Sequence, residues 1–139
     1  MAKVRATSIE NLQVLIRSEG SSLLADEPQD IGDGLGPDPY ELLLSALGSC
    51  TIMTLRLYAR RKGWPLDKVE LELSHGRIHA KDCDDCEQDE GIVERIEVRM
   101  RFEGELDDQQ RERLAYIATR CPIRKTLASG PRIVDTVVA

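Results

Sequence analysis

Aromatic residues are scarce in this chain: one Trp, one Phe and three Tyr, 4% of 139 residues. Aliphatic side chains must therefore fill the core, and few rings are left on which a base or a sugar could stack. Basic charge is not in excess either. Nineteen Lys and Arg stand against 25 Asp and Glu, and the net charge of −6 argues against nucleic acid or an anionic membrane as partner. The basic run Arg56, Arg60, Arg61 and Lys62 complements the dipole at a helix C-terminus and needs no nucleic acid to explain it. No uninterrupted apolar run reaches the roughly 18 residues of a membrane span. The N-terminal stretch "MAKVRATSIENLQVLIRS" lacks the apolar segment and small-residue cleavage site of a signal peptide. These absences lead us to expect a cytoplasmic protein with no membrane partner.

The sequence does have the balance of a folded domain, 41% apolar and 32% charged, and we read residues 1–139 as one domain. "NLQVLIRSEGSSLLADEP" alternates around a turn, which predicts a hairpin with Leu12, Val14 and Ile16 on one face. "DIGDGLGPDP" is a loop rich in breakers. A long helix follows, with Asp38 as N-cap, Pro39 at its first position and Glu41 closing a capping box. It is expected to run to about Lys62, stopped by Gly63 and Pro65, with Leu43, Ala46, Leu47, Cys50, Thr54 and Leu57 inward. Gly48, costly in mid-helix, predicts a close approach to the backbone just before Cys50.

Two strand patterns follow. Val69, Leu71 and Leu73 alternate in the first, and Val93, Ile96, Val98, Met100 and Phe102 mark the second, with a phase slip that predicts a bulge. An Asp-rich start then opens a helix with Leu114, Ile117 and Ala118 inward. A short helix begins at "CPIRKTLAS", and "RIVDTVVA" reads as a last strand. This order predicts an α+β fold with antiparallel sheet.

Four cysteines carry the chemistry. In the cytoplasm they are more often reduced, catalytic or metal-bound than structural disulfides. Cys121 precedes Pro122 at a helix start, where free N–H groups and the neighbouring Arg120, Arg124 and Lys125 favour a thiolate. Read alone, Cys121 is a capping or packing thiol as readily as a reactive one, and Cys50, which lacks charges nearby in sequence, reads first as core filler. Cys83 and Cys86, in "HGRIHAKDCDDCE", form a CxxC pair four residues after His79. Cys83, Cys86 and His79 suit a zinc clip, completed by His75 or Glu87. Inert thiols at a solvated tip, a disulfide or an auxiliary redox pair are the other readings of this stretch.

"GPDPYELLLSALGSC" followed much later by "RCPIRKTL" resembles the OsmC/Ohr family of thiol-dependent hydroperoxide reductases, and the order of elements agrees along nearly the whole chain. The resemblance implies antiparallel sheets wrapped around long central helices in an intertwined homodimer, with its sites at the subunit interface. It implies no required cofactor, a small organic hydroperoxide as substrate, an external dithiol as reductant and a role in oxidative stress defence. Carried over by position, Cys50 is the peroxidatic thiol and Cys121 the resolving one. An arginine near Arg17 and an acid at the helix start would activate Cys50. Here Tyr40 follows Pro39 where the family has glutamate, and the acid falls one residue later, at Glu41. Two other readings stand beside the enzyme. One is a non-enzymatic scaffold of the same fold that holds a small apolar or acyl ligand; the other is a zinc-binding module at residues 75–87.

Overall fold

The computed structural model describes residues 1–87 and 90–138; Gln88 and Asp89 of the acidic tip and Ala139 of the expected last strand lie outside them. Its contacts gather into two compact units, residues 1–45 and 46–139.

In the first unit, β1 (Arg5–Ser8), β2 (Val14–Ser18) and β3 (Ser21–Ala25) form an antiparallel sheet in the order β1-β2-β3. The hairpin read from the sequence is β2–β3, with Val14 opposite Ala25 and Ser18 opposite Ser21; Leu12 precedes β2 rather than sharing its face. β1 is exposed along its whole length, so alternation gave no hint of it. The loop after β3 is organised by one carboxylate. Asp26, only 2% exposed, accepts hydrogen bonds from the N–H groups of Glu27 at 2.8 Å, Leu35 at 3.1 Å and Asp33 at 3.4 Å. Burial pushes its pKa up, but these three donors outweigh burial and hold it below the ordinary carboxylate value.

Helix α1 (Pro39–Lys62) starts as expected: the Glu41 N–H donates to Asp38 Oδ1 at 2.8 Å and the Asp38 N–H to Glu41 Oε1 at 3.0 Å. It ends at Gly63, whose φ of 69° is the left-handed turn that glycine adopts without strain.

In the second unit, β4 (Lys68–His79) and β5 (Ile92–Glu103) pair antiparallel, and α2 (Asp108–Ala118) and α3 (Pro122–Ser129) follow. The core joins Leu55, Tyr58 and Ala59 of α1 to Leu66 and to Leu114 and Ala118 of α2, with Trp64, Val69, Met100 and Phe102 against it. Burying a Leu such as Leu55 or Leu114 contributes about 1.5–3 kcal/mol. Asp107 caps α2 in a box with Gln110. Arg111 reaches back from α2, donating to the carbonyls of Phe102 at 2.7 Å and Gly104 at 3.1 Å, which ties the β5–α2 turn together.

Three expectations are corrected. The buried stripe of α1 is Leu47, Gly48, Thr51, Leu55, Tyr58 and Ala59; Ala46 is exposed, Leu57 is 60% exposed, and Leu43, Cys50 and Thr54 lie at the margin. The helix is apolar on more than one side, long and apolar enough by composition to cross a membrane, so no single set of positions fixes its phase. β4 and β5 pair one to one from Lys68–Glu103 to His79–Ile92, so the slip near Val93 is not a bulge. It marks the outer end of the hairpin, where Ile92 is exposed and neither face is fully covered. Residues 131–138 form no strand among the described residues, and Ile133, Val134, Val137 and Val138 are exposed, because no strand of this chain pairs with them.

Candidate active site

The site grows from the helix end that a proline defines. Pro122 occupies the first position of α3, and the residue before a proline is pushed to extended backbone; Cys121 has φ −62° and ψ 135° and becomes the N-cap. Its sulfur accepts the N–H of Arg124 at 3.4 Å. Cys121 is fully buried, while Cys50, from the margin of the α1 stripe, is half-buried. Both are free thiols, and the two side chains are hydrogen-bonding neighbours. Gly48 makes the approach of β4 feasible: a Cβ there would lie 3.0 Å from Leu73 Cδ1.

Their electrostatics differ. Burial raises the Cys121 pKa, yet the hydrogen bond from Cys50, the N–H groups of Arg124 and Ile123 and the Thr51 hydroxyl together bring it below the ordinary thiol value. Burial also raises the Cys50 pKa; the Ile123 N–H and Thr54 hydroxyl oppose it, but the neighbouring Cys121 adds to the rise. Thus Cys121 is the more readily ionised of the two, and Cys50 holds its proton more tightly. The side-chain cations named from the sequence are not what does this. Arg120 turns its Nη1 to the Tyr116 hydroxyl at 3.0 Å, and the lowering at Cys121 comes from Cys50, Thr51 and backbone N–H groups.

Thr51 was missed in the sequence and Thr54 was read only as an inward position, although one and four residues after Cys50 both lie on the same part of α1. Thr51 Oγ1 donates to the Leu47 carbonyl at 2.8 Å, and Thr54 Oγ1 to the Cys50 carbonyl at 2.8 Å. A hydroxyl has one proton, so Thr51 supports the Cys121 thiolate only when it turns from Leu47 to the sulfur. Arg124 adds an unusual feature: its Nε and Nη2 are buried with no hydrogen-bond partner among the described residues.

The family model described as OsmC-like protein matches residues 32–134, most of the chain, with Cys50 and Cys121 inside the match. This chain belongs to the OsmC-like protein family. A search of curated proteins gives no match. Among solved structures, the OsmC-like protein of Mycoplasma pneumoniae is 21% identical, with a TM-score of 0.72 over 94% of this chain and 89% of that one. The organic hydroperoxide resistance protein OsmC of Legionella pneumophila is 18% identical (TM-score 0.64, 91% and 88% covered). The organic hydroperoxide resistance protein OhrB of Bacillus subtilis is also 18% identical (TM-score 0.62, 94% and 92% covered). The mixed α+β fold with antiparallel sheets is thus the OsmC-like fold, and the family is linked to hydroperoxide resistance and redox chemistry.

Of the other residues singled out for an OsmC-like site, Glu41 is engaged in the capping box with Asp38. Arg17 lies exposed on β2 opposite Arg5, and no ion pair joins it to Glu41 among the described residues. At the β4–β5 tip, Cys83 and Cys86 are joined as a disulfide. The donors gathered there are Cys83, Asp85 and Cys86; His79, at the end of β4, is not in that group. His75 instead lies 3.2 Å from Glu94 Oε1 across the hairpin. A metal would need both sulfurs reduced and ionised.

Proposed function

We propose that this OsmC-like chain is a thiol-dependent peroxidase that reduces a small organic hydroperoxide through Cys50 and Cys121. The observation that carries this reading is the facing of two free thiols, one half-buried and one buried, brought together by α1 and α3. Access favours Cys50 as the sulfur that meets peroxide, and ionisation favours Cys121, so the two divide the work.

Cys121, as thiolate, is the base. Cys50 Sγ attacks the terminal peroxide oxygen while its proton passes to Cys121. The O–O bond breaks, Cys50 becomes a sulfenic acid, and the alkoxide leaves and takes a proton from water. Cys121 Sγ then attacks the sulfenic sulfur; the S–O bond breaks, hydroxyl and the Cys121 proton leave as water, and a Cys50–Cys121 disulfide forms. The two sulfurs lose the two electrons that the peroxide gains. An external dithiol returns them by exchange, itself becoming a disulfide. Arg124 takes the place of the cation sought at Arg17: its buried, partnerless donors suit the developing alkoxide, an oxyanion in a dry site. No resident cofactor is needed. A homodimer in the cytoplasm completes the reading, with the exposed Met53 and Leu57 of α1 as the surface a second copy covers.

Treating the reduced protein with tert-butyl hydroperoxide tests this. Alkylation followed by peptide mass analysis should show the loss of two thiols per chain, at Cys50 and Cys121. Cys50→Ser should abolish peroxide consumption, and Cys121→Ser should accumulate a dimedone-reactive sulfenic acid at Cys50. Arg124→Ala should lower kcat/KM about 100-fold. If both thiols remain alkylatable after peroxide, the enzyme reading fails and a ligand-holding scaffold replaces it.

A further inference from the structure

A second pair of sulfurs lies outside this chemistry, at the tip of the β4–β5 hairpin. Cys83 and Cys86 are joined Sγ to Sγ, with Cα atoms 5.6 Å apart, inside the range a bridge spans. The backbone around them is pinned: the Ala80 N–H donates to the Gly91 carbonyl at 2.9 Å, and the Cys83 N–H to the Ala80 carbonyl at 3.1 Å. Arg95 reaches the pair from β5, its Nη1 2.9 Å from Asp85 Oδ1 and 3.7 Å from Cys83 Sγ. Its Nε donates to Glu97 Oε1 at 3.2 Å, which fixes the guanidinium from its other side. Asp85 Oδ1 is itself 3.2 Å from Cys83 Sγ.

A structural staple explains this arrangement poorly. The stabilisation a bridge gives by restricting the unfolded chain is least for the shortest loops, and this one closes across only three positions of sequence. The chain on either side is already held by the long unbroken β4–β5 ladder. Cys86 is half-buried and its neighbours Asp84, Asp85 and Glu87 are exposed, so the bridge is open to an outside reagent at its Cys86 end. The two ends of the bridge also differ, since among the described residues a guanidinium lies beside Cys83 and none beside Cys86.

We propose that Cys83–Cys86 is a second redox couple of this protein, which exchanges with an external dithiol independently of Cys50 and Cys121, with Arg95 as the positioning residue at its leaving sulfur. The thiolate of the dithiol attacks Cys86 Sγ, the Cys83–Cys86 bond breaks, and Cys83 leaves with the electron pair beside Arg95. The second thiol of the donor then attacks the mixed disulfide and frees Cys86. The donor ends as a disulfide, and the site has gained two electrons and two protons. The reverse sequence lets the reduced pair pass those electrons to another protein's disulfide.

Peptide-resolved alkylation of the full chain tests this. Cleavage after Lys81 and Arg95 isolates residues 82–95, which carry Cys83 and Cys86 but neither Cys50 nor Cys121. Folded protein is equilibrated in graded ratios of reduced to oxidised dithiothreitol, then trapped with iodoacetamide. The expected result is a reversible transition in which this peptide gains two labels together, at a ratio unchanged by Cys50→Ser. Arg95→Ala should slow reduction about ten-fold, and Arg95→Lys should recover most of that rate, which a merely structural role for Arg95 would not require. Three outcomes overturn the proposal: a bridge that opens only in denaturant, two thiols that stay labelled in the fully oxidised buffer, or zinc bound to the pair that prevents oxidation. Peroxide consumption by Cys83→Ser is read in parallel. Its persistence with no tip transition removes this proposal alone, and its absence in wild type with an intact tip transition removes only the peroxidase reading.

Discussion

A sulfur is a weak acceptor and an uncommon helix cap, yet Cys121 does at α3 what Asp107 does at α2. As a thiolate it becomes a much better acceptor, so capping and ionisation support each other. Thr51 is the side chain that tests this. Thr51→Val keeps the buried shape and removes the hydroxyl that lowers the Cys121 pKa. The Cys121 pKa should therefore rise, and less thiolate should absorb at 240 nm at a given pH, while stability changes by no more than about 1.5 kcal/mol. An unchanged titration curve would remove Thr51 from the site. At this scale the sequence was only partly legible. The electrostatic advantage of Cys121 could be read from the proline after it, but the meeting of Cys50 with Cys121 came only through family resemblance, because 71 positions of chain carry no local signal of contact. Arg124 was named for its charge, not for the two buried nitrogens that find no partner among the described residues.

Elements were most legible where their ends carry specific chemistry. The Asp38–Glu41 box and Gly63 gave α1 both of its limits, since caps are local and need no tertiary information. Its phase was misread by about one position, because an element apolar on several sides offers several stripes. Gly48 was the better guide, as its missing side chain marks the face that β4 approaches. Gly48→Val should drive a branched side chain into Leu73 and cost about 1–3 kcal/mol, read as a lower midpoint in urea. Asp26 makes the loop between β3 and α1 sensitive to acid. Its pKa is lowered on folding, so the stability it contributes is present above the unfolded value of about 3.9 and is lost as pH falls through the lower folded value. Asp26→Asn should melt well below wild type at pH 7, and the gap should narrow progressively as pH falls below the unfolded value of about 3.9.

For the molecule as a whole, the family and the α+β class were legible, because element order survives where identity has fallen to about one residue in five. The exposed tail from Ile133 to Val138 has a strand's composition and no strand's pairing, which a single chain cannot explain by itself. Sedimentation should give twice the chain mass of 15.6 kDa, and Leu57→Glu should shift it toward one copy. A wild-type mass of one chain would exclude the dimer.

The two sulfurs proposed to work together lie far apart along the chain, Cys50 within α1 and Cys121 at the cap of α3. Linking them would knot some 70 residues into a closed ring, which restricts the denatured ensemble by roughly 4 kcal/mol. A molecule that has just consumed peroxide should then melt higher and resist proteases longer than a freshly reduced one. Exhaustion would toughen this protein, and its reductant would have to act on the sturdier form.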